Sequence, residues 1–228
     1  MVDYLDVNNN YHQQIYDGYN VESFVFRPYG RILKNEFGLG GGNERLLDYG
    51  CGGGAALQFF KSKGFDVYGV DVNFKNIEIC KKRMPDIADH FRVIDSEPHS
   101  EDVFFDGEFD LITAFDSLYY YSNTDIQVRL DSLNKQMSQK AIIYATMIGA
   151  QSTIYYKNSI PYKDGLRIVN IDFERDSTLE HYMNLTESEK SLHDMFSIFN
   201  KKHIGFHANK FREDEGVSFF YTYIGQKR

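Results

Sequence analysis

Seven residues, Asp48-Tyr49-Gly50-Cys51-Gly52-Gly53-Gly54, put four glycines into five positions behind a carboxylate, directly after the apolar pair Leu46-Leu47. Glycine has a physical purpose where a strand turns sharply into a helix, because a Cβ blocks the turn and holds a ligand off the backbone. A second carboxylate, Asp71, lies near the end of the next apolar run, "DVYGVDV", 21 positions after Gly50. At the end of a strand a carboxylate can accept hydrogen bonds from both hydroxyls of a ribose. Loop and acid together imply an adenosine-containing ligand.

Two ligands compete for that description. Read as G-x-G-x-x-A, Gly50, Gly52 and Ala55 fit a dinucleotide fingerprint with Asp71 as its acidic partner, which keeps an NAD-dependent oxidoreductase open. Asp48 argues the other way. It sets a negative charge close to where a pyrophosphate would lie, whereas a cofactor bearing cationic centres suits it.

The elements that must position these residues follow from hydrophobic period. "RLLDY" reads as a first strand, "AALQFFKSKG" as a helix ending at Gly64, and "DVYGVDV" as a second strand. Asn73 caps the helix "FKNIEICKKRM", which Pro85 stops. "FRVID" and "FDLITAF" are the third and fourth strands, joined by the turn-rich segment from Ser96 to Gly107. "TDIQVRLDSLNKQM" carries Ile126, Leu130, Leu133 and Met137 on one stripe, and "AIIYATMI" is a fully buried fifth strand. Thr186 and Glu189 form a capping box for the last helix, and two strands around "REDEG" close the chain as an antiparallel hairpin. Alternating strands and helices of this kind make an α/β fold with a parallel sheet and helices on its faces. Residues 1–44 and 150–185, both rich in tyrosine, fit no unit of that sheet and read as lids.

Composition bounds the partners. The 228 residues are 42% hydrophobic and 25% charged, ordinary for one globular domain. The net charge of -8, with the triplet Lys81-Lys82-Arg83 explained as a helix end, speaks against nucleic acid. Two cysteines give no disulfide framework or metal spacing, the N-terminus does not resemble a signal peptide, and no apolar run reaches the roughly 20 residues a membrane span needs. The expectation is a cytoplasmic protein with no membrane anchor. His203 and His207 share a face at strand spacing but lack a third ligand, which makes them structural, and no metal is expected.

The order "LLDYGCGGG", "VYGVDV", "FRVID", "FDLITAFDSLYYY" resembles the class I S-adenosylmethionine-dependent methyltransferases, closely over Arg45 to Ile148. The resemblance implies a doubly wound, mostly parallel seven-stranded sheet with a C-terminal antiparallel hairpin and helices on both faces. It implies S-adenosyl-L-methionine as cofactor and S-adenosyl-L-homocysteine as product. By the family's motifs, Asp48, Gly50, Cys51, Gly52 and Gly54 shape the loop under the methionine and ribose. Asp71 holds the ribose, Val72 flanks adenine, Asp95 and Ser96 lie at the adenine edge, and Phe115 and Asp116 lie beside the methyl. The methionine carboxylate falls to an N-terminal Tyr or Arg, with Tyr11, Tyr16, Arg27 and Arg31 all eligible.

The chain then reads as one domain, 1–228: an N-terminal helical lid over 1–44, a cofactor-binding core over 45–148, a substrate-side insertion over 150–185, and the last helix with the closing hairpin over 186–228. The acceptor is a small molecule, expected to offer an oxygen of a sugar or phosphorylated metabolite. Aromatic residues with Lys157, Lys163 and Arg167 in the insertion suit such a ligand. A hydroxyl acceptor needs a general base, for which Asp116, His181 and His193 are the candidates. A module that binds the cofactor without turnover is the third reading, beside the oxidoreductase, which is favoured only if Asp48 faces away from the ligand, and the oligomeric state is open.

Overall fold

A computed structural model describes residues 21–157, 159–174, 177–210 and 216–228. Its main sheet has seven strands in the order β3-β2-β1-β4-β5-β10-β9. They are β1 (Arg45–Tyr49), β2 (Asp66–Asp71), β3 (Phe91–Val93), β4 (Phe109–Ala114), β5 (Met137–Ile148), β9 (Phe199–Asn209) and β10 (Ser218–Lys227). Strands β1 to β5 pair in parallel, and β10 runs antiparallel to both neighbours, with Thr222 opposite Thr146 and Phe220 opposite Ile148 and His207. The sheet is the one expected, closing hairpin included.

Neighbouring residues on the central strands bury on opposite faces, which is why those strands read as unbroken apolar runs rather than alternating ones. Leu47, Ile112 and Ile143 join one core with Ile126, Leu130 and Leu133 of helix α4 (Asn123–Lys135). Leu46, Leu111 and Ile142 join the other, against helices α2 (Ala55–Ser62) and α3 (Phe74–Arg83). All six strand residues are 0 to 1% exposed. The described part of the N-terminal segment also belongs to this second layer. Helix α1 starts as Ser23–Pro28, passes through a π-helical turn at Tyr29–Leu33 and ends as Lys34–Phe37, with Val25, Tyr29 and Leu33 buried against the sheet.

Two local expectations are corrected. The helix α6 (Glu189–Met195) is capped by Ser188, whose hydroxyl accepts the Ser191 amide, and not by Thr186. Thr186 instead pairs its backbone with Gly149 and Ala150, which pulls it out of the cap position. The region after β5 is also more regular than its composition suggests. After a short helix α5 (Thr153–Tyr156), the strands β6 (Ser159–Pro161), β7 (Leu166–Glu174) and β8 (Ser177–Asn184) make a separate antiparallel sheet. Both histidines read as structural have structural partners. His203 Nε2 lies 2.8 Å from Glu36 Oε2, and His207 is stacked between Phe24 and Phe220, with centroids 4.5 and 5.0 Å away.

Candidate active site

The chain runs from β1 outward to β3 and then returns to β4 on the other side of β1, so the strand order reverses between β1 and β4. Diverging loops leave a crevice at the carboxyl ends of strands at such a point. A cavity of about 590 Å³ lies there, within the usual range for a small-molecule site. Each of the first four strands contributes to its wall: Tyr49 at the end of β1 with Gly50 and Gly52 beyond it, Asp71 at the end of β2 with Val72 and Asn73, Ile94 and Ser96 after β3, Asp116 and Ser117 after β4.

The glycines divide by purpose. Gly50, Gly52 and Gly54 all have positive φ, at 74°, 52° and 79°. A Cβ on Gly50 would meet Ser117 Cβ at 2.4 Å, and one on Gly54 would meet Cys80 Sγ at 2.9 Å, so both glycines admit neighbours of the protein itself. Only at Gly52 does a Cβ meet nothing within 4 Å, in a residue that lines the cavity. That bare backbone is the part open to a ligand. Gly50→Ala is therefore expected to lower stability by roughly 2 to 3 kcal/mol, from left-handed strain plus the clash, and Gly52→Ala by about 1, from strain alone. Urea unfolding of the two variants checks the order.

Asp71 holds the loop as well as facing the cavity. Its Oδ2 accepts the Gly52 amide at 2.9 Å, and Oδ1 accepts the Asn73 amide at 2.7 Å and Asn76 Nδ2 at 3.2 Å. A carboxylate has about four acceptor positions, so one remains for a ribose hydroxyl. Asp71→Ala removes that contact and frees the Gly52 amide together. S-adenosylhomocysteine is expected to bind about 10 to 150 times more weakly, the effect of losing hydrogen bonds to a charged group. Calorimetry measures it, and an unchanged dissociation constant removes Asp71 from the site.

Asp116 has the most unusual backbone in the wall, a non-glycine residue at φ 50°. Its amide donates to Thr146 Oγ1 at 2.8 Å, and the Thr146 hydroxyl donates to Asp116 Oδ1 at 2.8 Å. Burial raises its pKa against the pull of the Thr146 hydrogen bond, and Glu22 raises it further. Strained backbone beside a cavity, held by a dedicated neighbour, is a frequent property of reacting sites.

Six of the residues expected at the ligand line the cavity: Gly50, Gly52, Asp71, Val72, Ser96 and Asp116. Others stand behind the wall. Asp48, expected to face the ligand, is 3% exposed and accepts the Thr113 hydroxyl from β4, because β1 is central and enclosed on both faces. Burial raises its pKa to about 7, with Asp71 adding to the shift. Cys51 packs with its Sγ 4.0 Å from that of Cys80, and Gly54 packs on the same thiol. Asp95 caps a turn by accepting the Glu97 amide, and Phe115 packs edge-on against Tyr144 and Phe24. Arg27 is exposed at the end of the first segment of α1, away from the cavity wall. His181 lies on β8 opposite Val169, and His193 is exposed near Asp194 on α6, so neither is brought to the wall. Tyr11 and Tyr16 fall outside the described residues.

The wall also contains residues that sequence reasoning did not assign to it: Tyr49, Asn73, Asn76, Ile94 and Ser117. Asn73 had been legible only as a helix cap, which it is, accepting the Lys75 amide at 2.9 Å. Tyr120 and Tyr121, from the three consecutive tyrosines after β4, also line the cavity, and Tyr121 shares a 2.8 Å hydroxyl hydrogen bond with Tyr49.

Comparison with known proteins agrees with this geometry. A family profile described as "Methyltransferase domain" matches residues 21–204. A magnesium-protoporphyrin O-methyltransferase from Rhodobacter capsulatus is 34% identical over 103 residues, 44% of this chain and 43% of that protein, so the match spans less than half of either. A SAM-dependent methyltransferase from Methanosarcina mazei superposes with a TM-score of 0.65 at 20% identity, over 81% of this chain and 92% of that one. The magnesium protoporphyrin IX methyltransferase from Synechocystis, solved with bound SAH, superposes with a TM-score of 0.58 at 13% identity, over 97% and 94%. Match, sheet order and glycine loop lead to one conclusion: this chain belongs to the methyltransferase domain family, among the class I methyltransferases that use S-adenosylmethionine.

Proposed function

We propose that the chain transfers the methyl group of S-adenosylmethionine to a hydroxyl oxygen of a small acceptor, with Asp116 as general base. The cofactor supplies an activated methyl on a sulfonium. The rest is positioning and proton handling by the chain. Gly52 presents open backbone to the ligand, Asp71 keeps an acceptor position for a ribose hydroxyl, and Val72 and Ile94 offer apolar surface to a base ring. Asp116 stands across the cavity wall from them, and Thr146 fixes both its amide and its carboxylate. That fixed, half-buried carboxylate is the observation that carries the reading, because a base of raised pKa takes a hydroxyl proton more readily as the new C–O bond forms. Tyr119, Tyr120 and Tyr155 lie close enough to Asp116 to interact with it electrostatically or through one another, giving an aromatic, sheltered surround.

Oxygen as the receiving atom also agrees with the Rhodobacter relative, which is named for O-methylation. A sugar or a phosphorylated metabolite remains the acceptor class. Of the two, the uncharged hydroxyl has better support. Arg167 donates to Ser159 through Nε and Nη2 and stacks on Tyr156, Lys163 lies over Tyr162, and neither lines the cavity as a phosphate ligand would. Among the described residues no helix is long and apolar enough to cross a membrane.

The test is calorimetric titration with S-adenosylhomocysteine and with NADH, followed by a labelled-methyl screen of sugars, sugar phosphates and phenols. Binding of the thioether, with product from a neutral hydroxyl compound, is the expected result. Binding of NADH alone overturns the cofactor assignment. Binding without product from any acceptor favours a module that holds the cofactor without turnover.

A further inference from the structure

Arg129, in the middle of α4, is 0% exposed. A guanidinium in that position costs more than an apolar side chain of the same size unless its surroundings use it. Its Nη1 donates to Asp102 Oδ2 at 2.5 Å, while Nε and Nη2 have no hydrogen-bond partner among the described residues. The guanidinium carbon instead lies 5.1 Å from the Tyr49 ring centroid and 5.3 Å from that of Phe104, with the two rings 5.9 Å apart. The two rings touch each other, and the planar cation lies against both, held by their quadrupoles.

These contacts reach two walls of the cofactor cavity. Tyr49 ends β1, lines the cavity and is bonded to Tyr121. Asp102 and Phe104 belong to the stretch between β3 and β4, which begins with Ile94 and Ser96 on the cavity wall. That stretch forms no helix or strand. An open groove of about 170 Å³, lined by Arg92 to Asp95 and Asp102 to Phe104, runs along it. Lacking regular structure, the stretch is placed by side chains that tie it down, Arg45 of β1 among them through the Asp106 and Glu108 carbonyls. Gln136 accepts the Phe104 amide, Arg92 donates to the Phe104 carbonyl, and Lys135 donates to the Ser100 carbonyl. Each of these holds one side only. Arg129 spans from Asp102 and Phe104 to Tyr49.

We infer that Arg129 is a positioning residue for the methyl-transfer reaction: it holds Tyr49 and the 95–108 stretch together through their touching rings and Asp102, and so fixes the cavity wall on its adenine side. The inference rests on the cofactor reading above. Through this clamp the shape of the nucleoside half of the site is set from a helix that does not line it.

The experiment measures S-adenosylhomocysteine and adenosine binding by calorimetry at 15 °C, well below unfolding, for the wild-type chain, Arg129→Met and Arg129→Lys, with melting curves recorded without ligand. Wild-type binding of both ligands comes first, and its absence would sink the cofactor reading itself, not the clamp. Arg129→Met is expected to bind both ligands at least 10-fold more weakly by a common factor, since both carry the nucleoside. Arg129→Lys keeps the charge but not the planar fork or the stacking, and should bind them with intermediate affinity. A residue that served stability alone would lower the melting temperature and leave both dissociation constants within twofold of wild type at 15 °C. That result in either folded variant overturns the clamp. If Arg129→Met does not fold, Arg129→Lys decides alone: a several-fold loss for both ligands supports the clamp and wild-type affinity refutes it.

Discussion

Replacing Asp116 with Asn is expected to lower kcat by about two to three orders of magnitude, the usual contribution of a positioned general base, while cofactor affinity changes little. Asn retains the shape and can still accept the Thr146 hydroxyl, so the backbone conformation at φ 50° keeps its support. What it loses is the ability to take a proton. The raised pKa has a visible consequence in the wild-type protein. Because the base acts only when deprotonated, kcat/KM should fall as pH drops through a value above the ordinary carboxylate range, and Asp116→Asn should abolish that acid limb along with most of the rate. If the variant keeps the wild-type rate and profile, Asp116 is not the base and the acceptor is one that needs none.

Asp48→Asn should produce the opposite kind of change, a protein more stable at alkaline pH, with a weaker cofactor site. The folded-state pKa of Asp48 stands at about 7, against an ordinary 3.8, because burial disfavours the charge. A group whose folded pKa is raised contributes stability that is fully present below the unfolded pKa and is lost as pH rises through the folded one. For Asp48 the window is therefore pH 4 to 7, and a shift of that size corresponds to at most about 4 kcal/mol by pH 8. Asn keeps an acceptor for the Thr113 hydroxyl and carries no charge. At pH 8 the variant is expected to exceed wild type by about 2 kcal/mol after allowance for the new amide's unpaired hydrogens, and at pH 4, where Asp48 is protonated in the folded wild type, to fall short of it by about as much. Denaturant unfolding at the two pH values checks it, and a variant less stable at pH 8 contradicts the assigned cost.

A protein retains such a charge where function benefits. Asp48 lies one layer beneath the glycine loop, near enough to Asp71 for the two charges to interact, so its field reaches the cavity although its oxygens do not. S-adenosylmethionine has a sulfonium that S-adenosylhomocysteine lacks. At pH 8, Asp48→Asn should therefore weaken binding of the methyl donor several-fold more than binding of the thioether.

The role of Asp48 also illustrates what can be read from a sequence of this kind. Its presence ahead of the glycines is legible and points to a cationic ligand, but a one-dimensional reading places it against the ligand. The depth at which it sits depends on β1 being the central strand with Thr113 beside it. The sheet itself is highly legible, because a strand covered on both faces must be apolar at every position, and Leu46-Leu47, Leu111-Ile112 and Ile142-Ile143 carry that signature. Gly52 and Asp71 are legible for a related reason, since their residue types are tied to a turn and a strand end. Ser117 and Asn76 are not. Each joins the wall because of a backbone path, the left-handed turn at Asp116 in one case and the first turn of α3 in the other, and many residue types would satisfy those positions. The insertion escaped for a different reason. Its strands pair only with one another, outside the main sheet, so the alternation in Val169-Asn170-Ile171-Asp172-Phe173-Glu174 belongs to no unit of the repeating strand-helix pattern.

A crystal structure of the full chain with S-adenosylhomocysteine tests the cofactor placement most directly. The expected density seats adenine between Val72 and Ile94, the ribose on Asp71 beside the open backbone of Gly52, and the sulfur directed toward Asp116. A thioether bound outside the wall formed by Gly52, Asp71 and Ser96, or one whose sulfur faces away from Asp116, contradicts it.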